Sequence, residues 1–563
     1  MLVFAQLPQP LPPPPPEIRT LGRERGDQVR IDGQGIRSPW AWIPPRDGQP
    51  PQLWLPLELL ENRLGFSRTQ GTLRWFGTEH PLAQLPQRRL GDEVALDAWP
   101  WLQQLGVTPD RDGPRLELTL QAPTLQQLRR GTGERSDRLV LDLDGPVFVQ
   151  RVGRDLVLEL RADQDQIRML QGMGIGASHQ GSTLRLRGQA TRLRSLSLAN
   201  PWRLVLDGVR PNQGSTAQAP RPVLPLTHPQ IAPLIRKGFV LEHRQIKVGV
   251  KPLELWRVGG QLQSLGLTLQ AQTQVGTQQG LRFLPQLSSA PTTVAAVNGG
   301  FFNRITQLPL GALRKEGTWL SGPILNRGAV GWNRGGIPRF GRLSLTQELR
   351  GPDRRTWRLS HLNSGYIQRG LSRYTDAWGP RYKALSGEEA AVLISNGRVE
   401  QAFDQDALAH GVVLPAGKEL IVARGGIEMP IKPGDPVQLQ ERVNAPLGDL
   451  ANVIGGGPLL LMEGQVVLNG RIEGFSPDFL RVRAPRTVVG HGPDGTWLIA
   501  LRGSTGTDPT LLETALAAQQ LKLKQALNLD GGSSTTLVVA GRTVVNGRGF
   551  PPLIHNGLGL GLL

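Results

Sequence analysis

The chain has 563 residues, a formal net charge of +18 and no cysteine. The absence of cysteine excludes disulfides, thiolate metal sites and a cysteine nucleophile, so any metal must be held by oxygen or histidine ligands. The length exceeds what one hydrophobic core usually supports, and the 70 glycines and 47 prolines favour a β-rich α+β fold with several domains over a helical bundle.

The positive charge favours an anionic partner, such as an acidic or phosphorylated glycan, because basic surfaces attract polyanions. Nucleic acid is not expected as a partner, since the arginines are scattered along strand-like segments and aromatic residues make up only 5% of the chain, too few for a stacking platform. No uninterrupted apolar run approaches the roughly 18 residues of a membrane span. We therefore expect a chain without a membrane span.

Residues 1–19 form a proline-rich segment, in which the run Pro12–Pro16 would adopt a stiff polyproline II conformation. Such a spacer is typical of the join between an export signal and a first domain. The residues before it lack a basic n-region and a full apolar core, so a signal peptide is incomplete or absent in this chain. We expect an exported protein, located in the periplasm or cell envelope.

A small α/β module is predicted over residues 20–107, where short apolar strands alternate with turns. The stretch Leu53–Leu60 predicts a strand that runs into a short helix ending near Gly65. This module resembles the stalk module of copper amine oxidases.

A β-sandwich-like domain is predicted over residues 108–212, where apolar and polar residues alternate with period two. The segments Arg138–Asp142 and Arg203–Asp207 share one pattern, which would suit two strands of a single antiparallel sandwich. The domain resembles AMIN-type sandwiches, and the resemblance implies cell-wall polymer as a partner of the N-terminal domains. A purely structural β domain is the alternative.

A proline-rich linker is predicted over residues 213–235, followed by a C-terminal domain over 236–563. The first motif of this domain is Asn298-Gly299-Gly300, where a buried strand ends and turns on two glycines. Such a turn brings the backbone close to a ligand and would leave the asparagine amide free to bond sugar hydroxyls.

Two further motifs follow. Gly456 and Gly457 lie in a triple-glycine run between two apolar segments, which indicates either a tight crossing of backbones or a substrate-facing loop. A later strand presents Arg486 and Thr487 near one end and His491 at the other. An arginine there would grip phosphate through its planar fork, whereas an isolated histidine is more often structural.

The last motif is Asp530, which ends a strand that follows a predicted helix. That helix has Asp508 as its N-cap and places Leu512, Leu516 and Leu523 on one side. Asp530 is followed by four small residues: Gly531, Gly532, Ser533 and Ser534. An acidic residue at the carboxyl end of a buried strand is typical of a catalytic carboxylate, and a plain Asp-Gly-Gly turn is the alternative.

In this order the four motifs resemble those of the phosphodiester glycosidase family, over residues 236–563. The resemblance implies a hydrolase that acts on a sugar 1-phosphodiester within a mixed α/β catalytic domain. It implies catalytic roles for Asp530, Arg486, His491 and Glu513. It also implies substrate binding by a larger set of residues: Asn298, Gly299, Gly300, Thr487, Gly456, Gly457, Gly531, Gly532, Ser533 and Ser534.

Two positions depart from the family's pattern. Ser533 stands where the family usually has a third glycine, and Arg502-Gly503 where it often has Asp-Gly. Because Arg502 replaces an acidic group by a cation, no cofactor is assigned, and a divalent cation, Ca²⁺ or Mg²⁺, is left open with its ligands unknown.

The expected mechanism uses Asp530 as base or nucleophile at the anomeric carbon and Arg486 to bind the phosphate. Asn298 would orient the sugar, and His491 would position water or phosphate. The alternative function is a non-catalytic envelope protein that holds wall glycan or exopolysaccharide in the same cleft.

Overall fold

The computed structural model describes residues 18, 24–46, 48–69, 71–132, 137–209, 224–504 and 507–563. Most of the predicted proline-rich segment 1–19 and residues 213–223 of the predicted linker lie outside these ranges. The chain divides into two compact units. The C-terminal unit comprises Leu224–Val545 and Leu553–Leu563, and the N-terminal unit comprises the described residues up to 209 together with Asn546–Pro552.

Strands dominate the N-terminal unit. They are β1 (Glu24–Ile31), β2 (Gln34–Ile43), β3 (Gln52–Pro56), β4 (Ser67–Thr69), β5 (Thr72–Trp75), β6 (Thr78–Pro81), β7 (Gln87–Leu90), β8 (Glu93–Asp97), β9 (Asp110–Asp112), β10 (Arg115–Leu118), β11 (Leu125–Thr132), β12 (Asp137–Leu143), β13 (Val149–Val152), β14 (Asp155–Glu159), β15 (Ala177–Gln180), β16 (Thr183–Leu186), β17 (Arg194–Leu198) and β18 (Arg203–Val209). The helices are α1 (Leu57–Leu59), α2 (Trp99–Gln104) and α3 (Gln164–Gly172), with a π-helical turn at Leu60–Leu64 and a 3₁₀ turn at Leu82–Gln84.

The first sheet of this unit has the strand order β7-β8-β3-β2-β1-β10-β9. Strand β3 runs into α1 and the π-helical turn, which ends at Gly65 with φ of 82°, so the predicted strand and helix ending are confirmed. Strand β10 pairs in parallel with β1, with Leu116 opposite Val29. This pairing carries the sheet past the boundary at 107 that the sequence suggested.

Two four-stranded sheets, β11-β12-β18-β17 and β13-β14-β16-β15, follow in the same unit. Both segments with the repeated pattern are strands, and β12 and β18 pair antiparallel, with Leu139 opposite Leu206 and Leu141 opposite Leu204. These leucines share one hydrophobic core with residues of β14 and β16. The two sheets therefore form a sandwich.

The C-terminal unit is also built mainly of strands. They are β19 (Val240–Val248), β20 (Lys251–Gly260), β21 (Leu267–Gln272), β22 (Arg282–Phe283), β23 (Thr293–Asn298), β24 (Leu313–Lys315), β25 (Thr318–Ser321), β26 (Gly328–Trp332), β27 (Arg339–Arg342), β28 (Leu345–Arg350), β29 (Thr356–Leu362), β30 (Gly370–Thr375), β31 (Arg381–Tyr382), β32 (Glu389–Ser395), β33 (Arg398–Phe403), β34 (Val412–Val413), β35 (Glu419–Arg424), β36 (Gln438–Val443), β37 (Asn452–Gly455), β38 (Leu459–Met462), β39 (Gln465–Val466), β40 (Arg486–Gly492), β41 (Gly495–Gly503), β42 (Gln525–Asn528), β43 (Thr536–Val539), β44 (Arg542–Asn546), β45 (Leu553–Ile554) and β46 (Gly557–Leu562). The helices are α4 (Ala232–Arg236), α5 (Leu262–Leu265), α6 (Leu284–Leu287), α7 (Gln405–His410), α8 (Pro477–Arg481) and α9 (Leu511–Gln520), with 3₁₀ turns at Asp376–Trp378, Arg471–Glu473 and Gly532–Ser534.

Two sheets of this unit position the site. Sheet A has the order β19-β20-β41-β40-β42-β38-β39, and sheet B has the order β21-β46-β23-β43-β44. In sheet A, Val489 packs toward sheet B in the largest core of the unit, whereas Val488 packs toward α9. Neighbouring residues of β40 therefore face different layers, as the alternation of a strand requires.

Helix α9 differs from its prediction at its start. Its N-cap is Thr510, which exchanges hydrogen bonds with Glu513 in a capping box, and not Asp508. The Asp508 carboxylate instead accepts a hydrogen bond of 2.9 Å from the backbone N–H of Gly503. The Thr-x-x-Glu pattern is therefore the signal that fixes the helix start here.

The buried face of α9 also differs from its prediction. Leu512 and Leu516 are 52% and 40% exposed, whereas Leu511 and Ala515 are fully buried. Successive helical residues are rotated by about 100°, so a face displaced by one residue exposes the leucines that the sequence placed in the core.

The described residues are rich in strands and poor in helices, which confirms the predicted β-rich α+β multidomain fold. Among the residues that the structure describes, no helix has the length and apolar character needed to cross a bilayer.

Candidate functional site

Asn298 ends β23 and joins sheet B to sheet A. Its side chain is 1% exposed. The amide oxygen accepts hydrogen bonds from the Thr487 hydroxyl at 2.7 Å and the Thr536 backbone N–H at 3.1 Å, and the amide nitrogen donates to the Asp530 carbonyl at 2.7 Å. The expectation of an amide free for sugar hydroxyls is wrong, because a buried amide needs these internal partners. Asn298 and Thr487 thus position the Asp530 backbone.

The two glycines after Asn298 pack against other backbone segments. Gly299 donates to the Asn556 carbonyl at 2.8 Å and Gly300 donates to the Asn556 side-chain oxygen at 2.9 Å. A Cβ on Gly299 would lie 2.0 Å from that oxygen, and a Cβ on Gly300 would lie 2.4 Å from the Gly455 carbonyl oxygen. Gly299 in turn accepts a 3.0 Å hydrogen bond from the Asp530 N–H. Glycine is therefore required for the close approach that holds Asp530.

Asn556 and its neighbour His555 were not found from the sequence. The His555 Nε2 donates to the Gln278 carbonyl at 2.8 Å, and its Nδ1 accepts from the Asn556 amide at 3.2 Å. A carbonyl only accepts, so this arrangement requires the neutral ring with its proton on Nε2. The only signal in the sequence was the His-Asn-Gly triplet just before the last strand.

Acid is expected to destabilise this arrangement. Burial lowers the pKa of His555 from 6.5 to about 4. The unfolded chain therefore binds the proton first as the pH falls, and the stability that depends on the neutral ring is complete above 6.5 and lost between about 6.5 and 4. Burial lowers the pKa of His361 to about 4 as well, so both histidines act in the same direction.

Urea unfolding at several pH values measures this effect. The wild-type C-terminal unit should lose up to about 3 kcal/mol per buried histidine across the window, and His555→Gln should flatten the slope. His410→Gln alters an exposed histidine and should leave the slope unchanged. A slope identical in wild type and His555→Gln would contradict the assignment.

The Asp530 carboxylate faces Arg304, a second residue that the sequence did not single out. The Arg304 guanidinium lies 3.6 Å from the Asp530 carboxylate, and both side chains are 13% exposed. Arg304 also donates to the Ser534 hydroxyl at 3.0 Å, and Asp530 accepts from the Gly531 N–H at 3.0 Å. The signal available in the sequence was that Arg304 follows the glycine turn closely, with five residues between it and Asn298.

Arg486 lies on the other face of sheet A from Thr487. It is 2% exposed, and its guanidinium donates to the carbonyls of Val482 and Pro509. A Cβ on Gly531 would lie 3.7 Å from that guanidinium. The predicted phosphate grip is not supported, because Arg486 lies beneath the Asp530–Gly531 turn and bonds backbone.

His491 does not join the residues around Asp530. It pairs with Gln525 at the start of β42, whereas Asp530 follows the end of that strand. At about 3.3 Å per residue, His491 lies on the order of 13 Å along β40 from Thr487. Its Nδ1 bonds the Thr496 hydroxyl at 2.9 Å, and burial lowers its pKa. This setting favours the alternative interpretation, a structural histidine.

Glu513 has a structural setting as well. Besides capping α9, its carboxylate bonds Lys251 at 2.8 Å and Arg483 at 2.9 Å. Arg502, at the family's acidic position, forms a 2.7 Å ion pair with Glu254. The partners of both residues therefore lie in β20 and in the loop before β40, and Asp530 is not among them.

The remaining glycines and serines of the motifs also lie at close backbone crossings. A Cβ on Gly456 would lie 2.4 Å from the Asn528 carbonyl oxygen, to which Gly457 donates at 2.7 Å. Gly532 donates to the Pro485 carbonyl at 2.8 Å. Ser533 and Ser534 are 1% and 0% exposed. Of the two interpretations of the triple-glycine run, this geometry favours the tight crossing.

Metal ligation at Asp530 is not favoured by its surroundings. The Arg304 guanidinium lies 3.6 Å from this carboxylate, whereas Ca²⁺ and Mg²⁺ take several oxygen ligands. Within the described ranges, no three His, Asp or Glu side chains gather in a group that could hold an ion.

Part of the chain matches a known protein family. Residues 386–560 match the model of the phosphodiester glycosidase family. This matched segment lies within the C-terminal unit, apart from Asn546–Pro552. The matched residues include Arg486, Asp530 and Asn556. Asn298 and Arg304 precede the match, but β23 pairs with β43 and β46 of the matched region, so these earlier residues share a sheet with it.

Several solved structures are similar to the chain, and two of them are compared with it. A hypothetical protein from Synechocystis is 28% identical, with a TM-score of 0.56, over 96% of this chain and 99% of its own, so the two share a fold throughout. The zebrafish N-acetylglucosamine-1-phosphodiester alpha-N-acetylglucosaminidase catalytic domain, auto-inhibited by its pro-peptide, is 14% identical with a TM-score of 0.32, over 57% of this chain and 82% of its own. None of the curated proteins compared matches the chain.

Proposed function

We propose that the C-terminal unit hydrolyses the bond between an anomeric carbon and phosphate in a sugar 1-phosphodiester. The observation that carries this proposal is the Asp530 carboxylate, which is partly exposed at the end of β42 and lies 3.6 Å from the Arg304 guanidinium. The backbone of Asp530 is held by Asn298 and Gly299. A carboxylate fixed in this way within a phosphodiester glycosidase domain supports hydrolysis at a sugar carbon.

Hydrolysis of this bond depends little on a general acid. The departing phosphate monoester is already a stabilised anion, so protonation of the leaving group matters less than in an ordinary glycoside. The oxygen of water bonds to the anomeric carbon, the bond from that carbon to the phosphate oxygen breaks, and the phosphate monoester departs with the electron pair. Asp530 receives the proton of that water. In the covalent route, the Asp530 carboxylate first bonds the anomeric carbon as the phosphate monoester departs; water then attacks that carbon, the bond to Asp530 breaks, and the released carboxylate takes the proton of water.

Arg304 holds Asp530 ionised and oriented. An adjacent guanidinium stabilises a carboxylate electrostatically, and its bond to Ser534 fixes the pair relative to the turn. Arg304 thus supports Asp530 as the group that acts at the sugar carbon.

A panel of methyl phosphodiesters of N-acetylglucosamine, glucose, galactose and mannose tests the proposal with the full chain. We expect release of free sugar and methyl phosphate from at least one member and none from the matching methyl glycosides. The anomer seen first by proton NMR distinguishes direct attack by water, with inversion, from the covalent route, with retention. Release of no sugar by a folded chain would exclude the proposal.

The setting of the reaction is part of the proposal. We expect the substrate to be a phosphorylated glycan of the cell envelope or an exopolysaccharide, with wall polymer as a partner of the N-terminal unit. Immunodetection in cell fractions tests the location, and sedimentation with purified cell wall tests the partner. Chelator added to the panel assay tests dependence on Ca²⁺ or Mg²⁺.

A further inference from the structure

Arg327 lies between aromatic rings near the candidate site. Its guanidinium carbon is 4.2 Å from the ring centre of Phe475 and 5.4 Å from that of Phe301. Phe479 stacks on Phe475 with centres 4.8 Å apart. We call Arg327 with these three phenylalanines the aromatic shelf. Stacking on ring faces fixes the plane of a guanidinium before any ligand arrives.

The terminal nitrogens of Arg327 are available to a ligand. Its Nε donates to the Glu473 carbonyl at 3.4 Å. Across the described part of the chain, no acceptor bonds the two terminal nitrogens, and the residue is partly exposed. Arginine presents these N–H groups as a planar fork that suits the oxygens of a phosphate.

The charge of Arg327 is not cancelled by the carboxylate of Glu473. That carboxylate is fully buried and accepts hydrogen bonds from the N–H groups of Gly328 at 2.8 Å and Leu459 at 3.1 Å, and it pairs with Arg342 at 3.2 Å. Arg342 therefore balances Glu473. Burial lowers the pKa of Arg327 only to about 10, so the guanidinium is charged at neutral pH.

The aromatic shelf lies beside the segments that hold Asp530. Phe301 follows the glycine turn directly, and Gly299 of that turn accepts from the Asp530 N–H at 3.0 Å. On the other side, a Cβ on Gly457 would lie 2.9 Å from the Phe475 ring, and Gly457 donates to the carbonyl two residues before Asp530. Two separate segments thus place the aromatic shelf next to the end of β42.

We propose that Arg327 binds the phosphate group of the substrate while the phenylalanines of the aromatic shelf contact the carbon skeleton attached to it. The proposal rests on the proposed function for the identity of the whole substrate, and it names the residue that recognises the anionic group. Arg304 is committed to Asp530 and Ser534, and Arg486 to backbone carbonyls, whereas Arg327 offers a fork to a tetrahedral anion.

Calorimetric titration of the full chain with inorganic phosphate, and separately with glucose 1-phosphate, tests this assignment without turnover. Arg327→Gln should weaken the affinity for both by about tenfold or more, the range expected for lost charge-assisted hydrogen bonds. The matched control is Arg257→Gln, because Arg257 stacks on Trp497 at 4.4 Å but already pairs with Glu242. That control should bind like wild type.

The outcomes separate this inference from the proposed function. Phosphate binding that Arg327→Gln abolishes, with no turnover of any panel member, would uphold the inference and remove the proposed function. Equal binding by wild type and Arg327→Gln, or no binding by wild type, would overturn the inference. If Arg327→Gln fails to fold, Arg327→Lys is measured in its place. Lysine keeps the charge but lacks the planar fork, so wild-type affinity for phosphate in Arg327→Lys would also overturn the inference.

Discussion

Replacing Asp530 with asparagine is expected to reduce turnover of a sugar 1-phosphodiester on the order of 10³-fold or more, the loss usual for a catalytic group that acts in a unit. Asparagine keeps the oxygen that accepts from the Gly531 N–H but has no negative charge and takes up no proton. The backbone bonds to Asn298 and Gly299 do not involve the side chain. The fold should therefore persist while the chemistry is lost.

Initial rates on the best panel substrate, with circular dichroism as a check of folding, measure this effect. Asp494→Asn is the matched control, since Asp494 is an exposed carboxylate in the turn between β40 and β41, and it should keep wild-type rates. Full turnover by folded Asp530→Asn would show that another group performs the reaction.

Removing the charge of Glu389 is expected to cost the C-terminal unit about 3–5 kcal/mol, the range for breaking a buried ion pair. Glu389 and Arg424 are 4% and 1% exposed and lie 2.7 Å apart. Arg424 also donates to the hydroxyls of Tyr374 at 2.7 Å and Tyr382 at 2.6 Å. In Glu389→Gln the buried guanidinium loses its counter-charge and the network loses an acceptor.

Urea unfolding followed by tryptophan fluorescence measures the loss. Asp353→Asn is the control, because Asp353 pairs with Arg355 at 2.9 Å with both side chains largely exposed, and exposed pairs contribute little. A midpoint for Glu389→Gln equal to that of Asp353→Asn would show that the buried pair is not what stabilises the unit. Tyr382→Phe, which removes one hydroxyl from the network, should give an intermediate loss.

The sequence predicted where strands end more reliably than what their side chains contact. Local patterns of apolar residues and glycines predicted the end of β23 at Asn298, the strand before Asp530 and the two strands β12 and β18. Such patterns depend on period and turn chemistry, which neighbouring residues determine.

The contacts of the site depended on long-range geometry. Arg486 and Thr487 are adjacent in sequence but lie on opposite faces of sheet A. To predict which of them contacts Asn298, one must know which face of sheet A packs against sheet B. His491 belonged to the same motif but lies at the far end of its strand. Arg304 and Asn556 were missed because each contacts a residue more than two hundred positions away. A local sequence pattern does not show contacts over such a separation.

The start of helix α9 was predicted wrongly for a different reason. Asp508 and Thr510 are both good N-caps, and choosing between them required attention to Glu513, which completes a capping box only with Thr510. That choice also decided which leucines are buried.

The place of β46 in sheet B has a consequence for biosynthesis. This strand lies between β21 and β23, and Asn556, which immediately precedes it, bonds the glycine turn that holds Asp530. A nascent chain therefore lacks a central strand of sheet B until synthesis has passed residue 562. The N-terminal sandwich is free to fold on the ribosome long before, so the sandwich forms early and the site around Asp530 forms last.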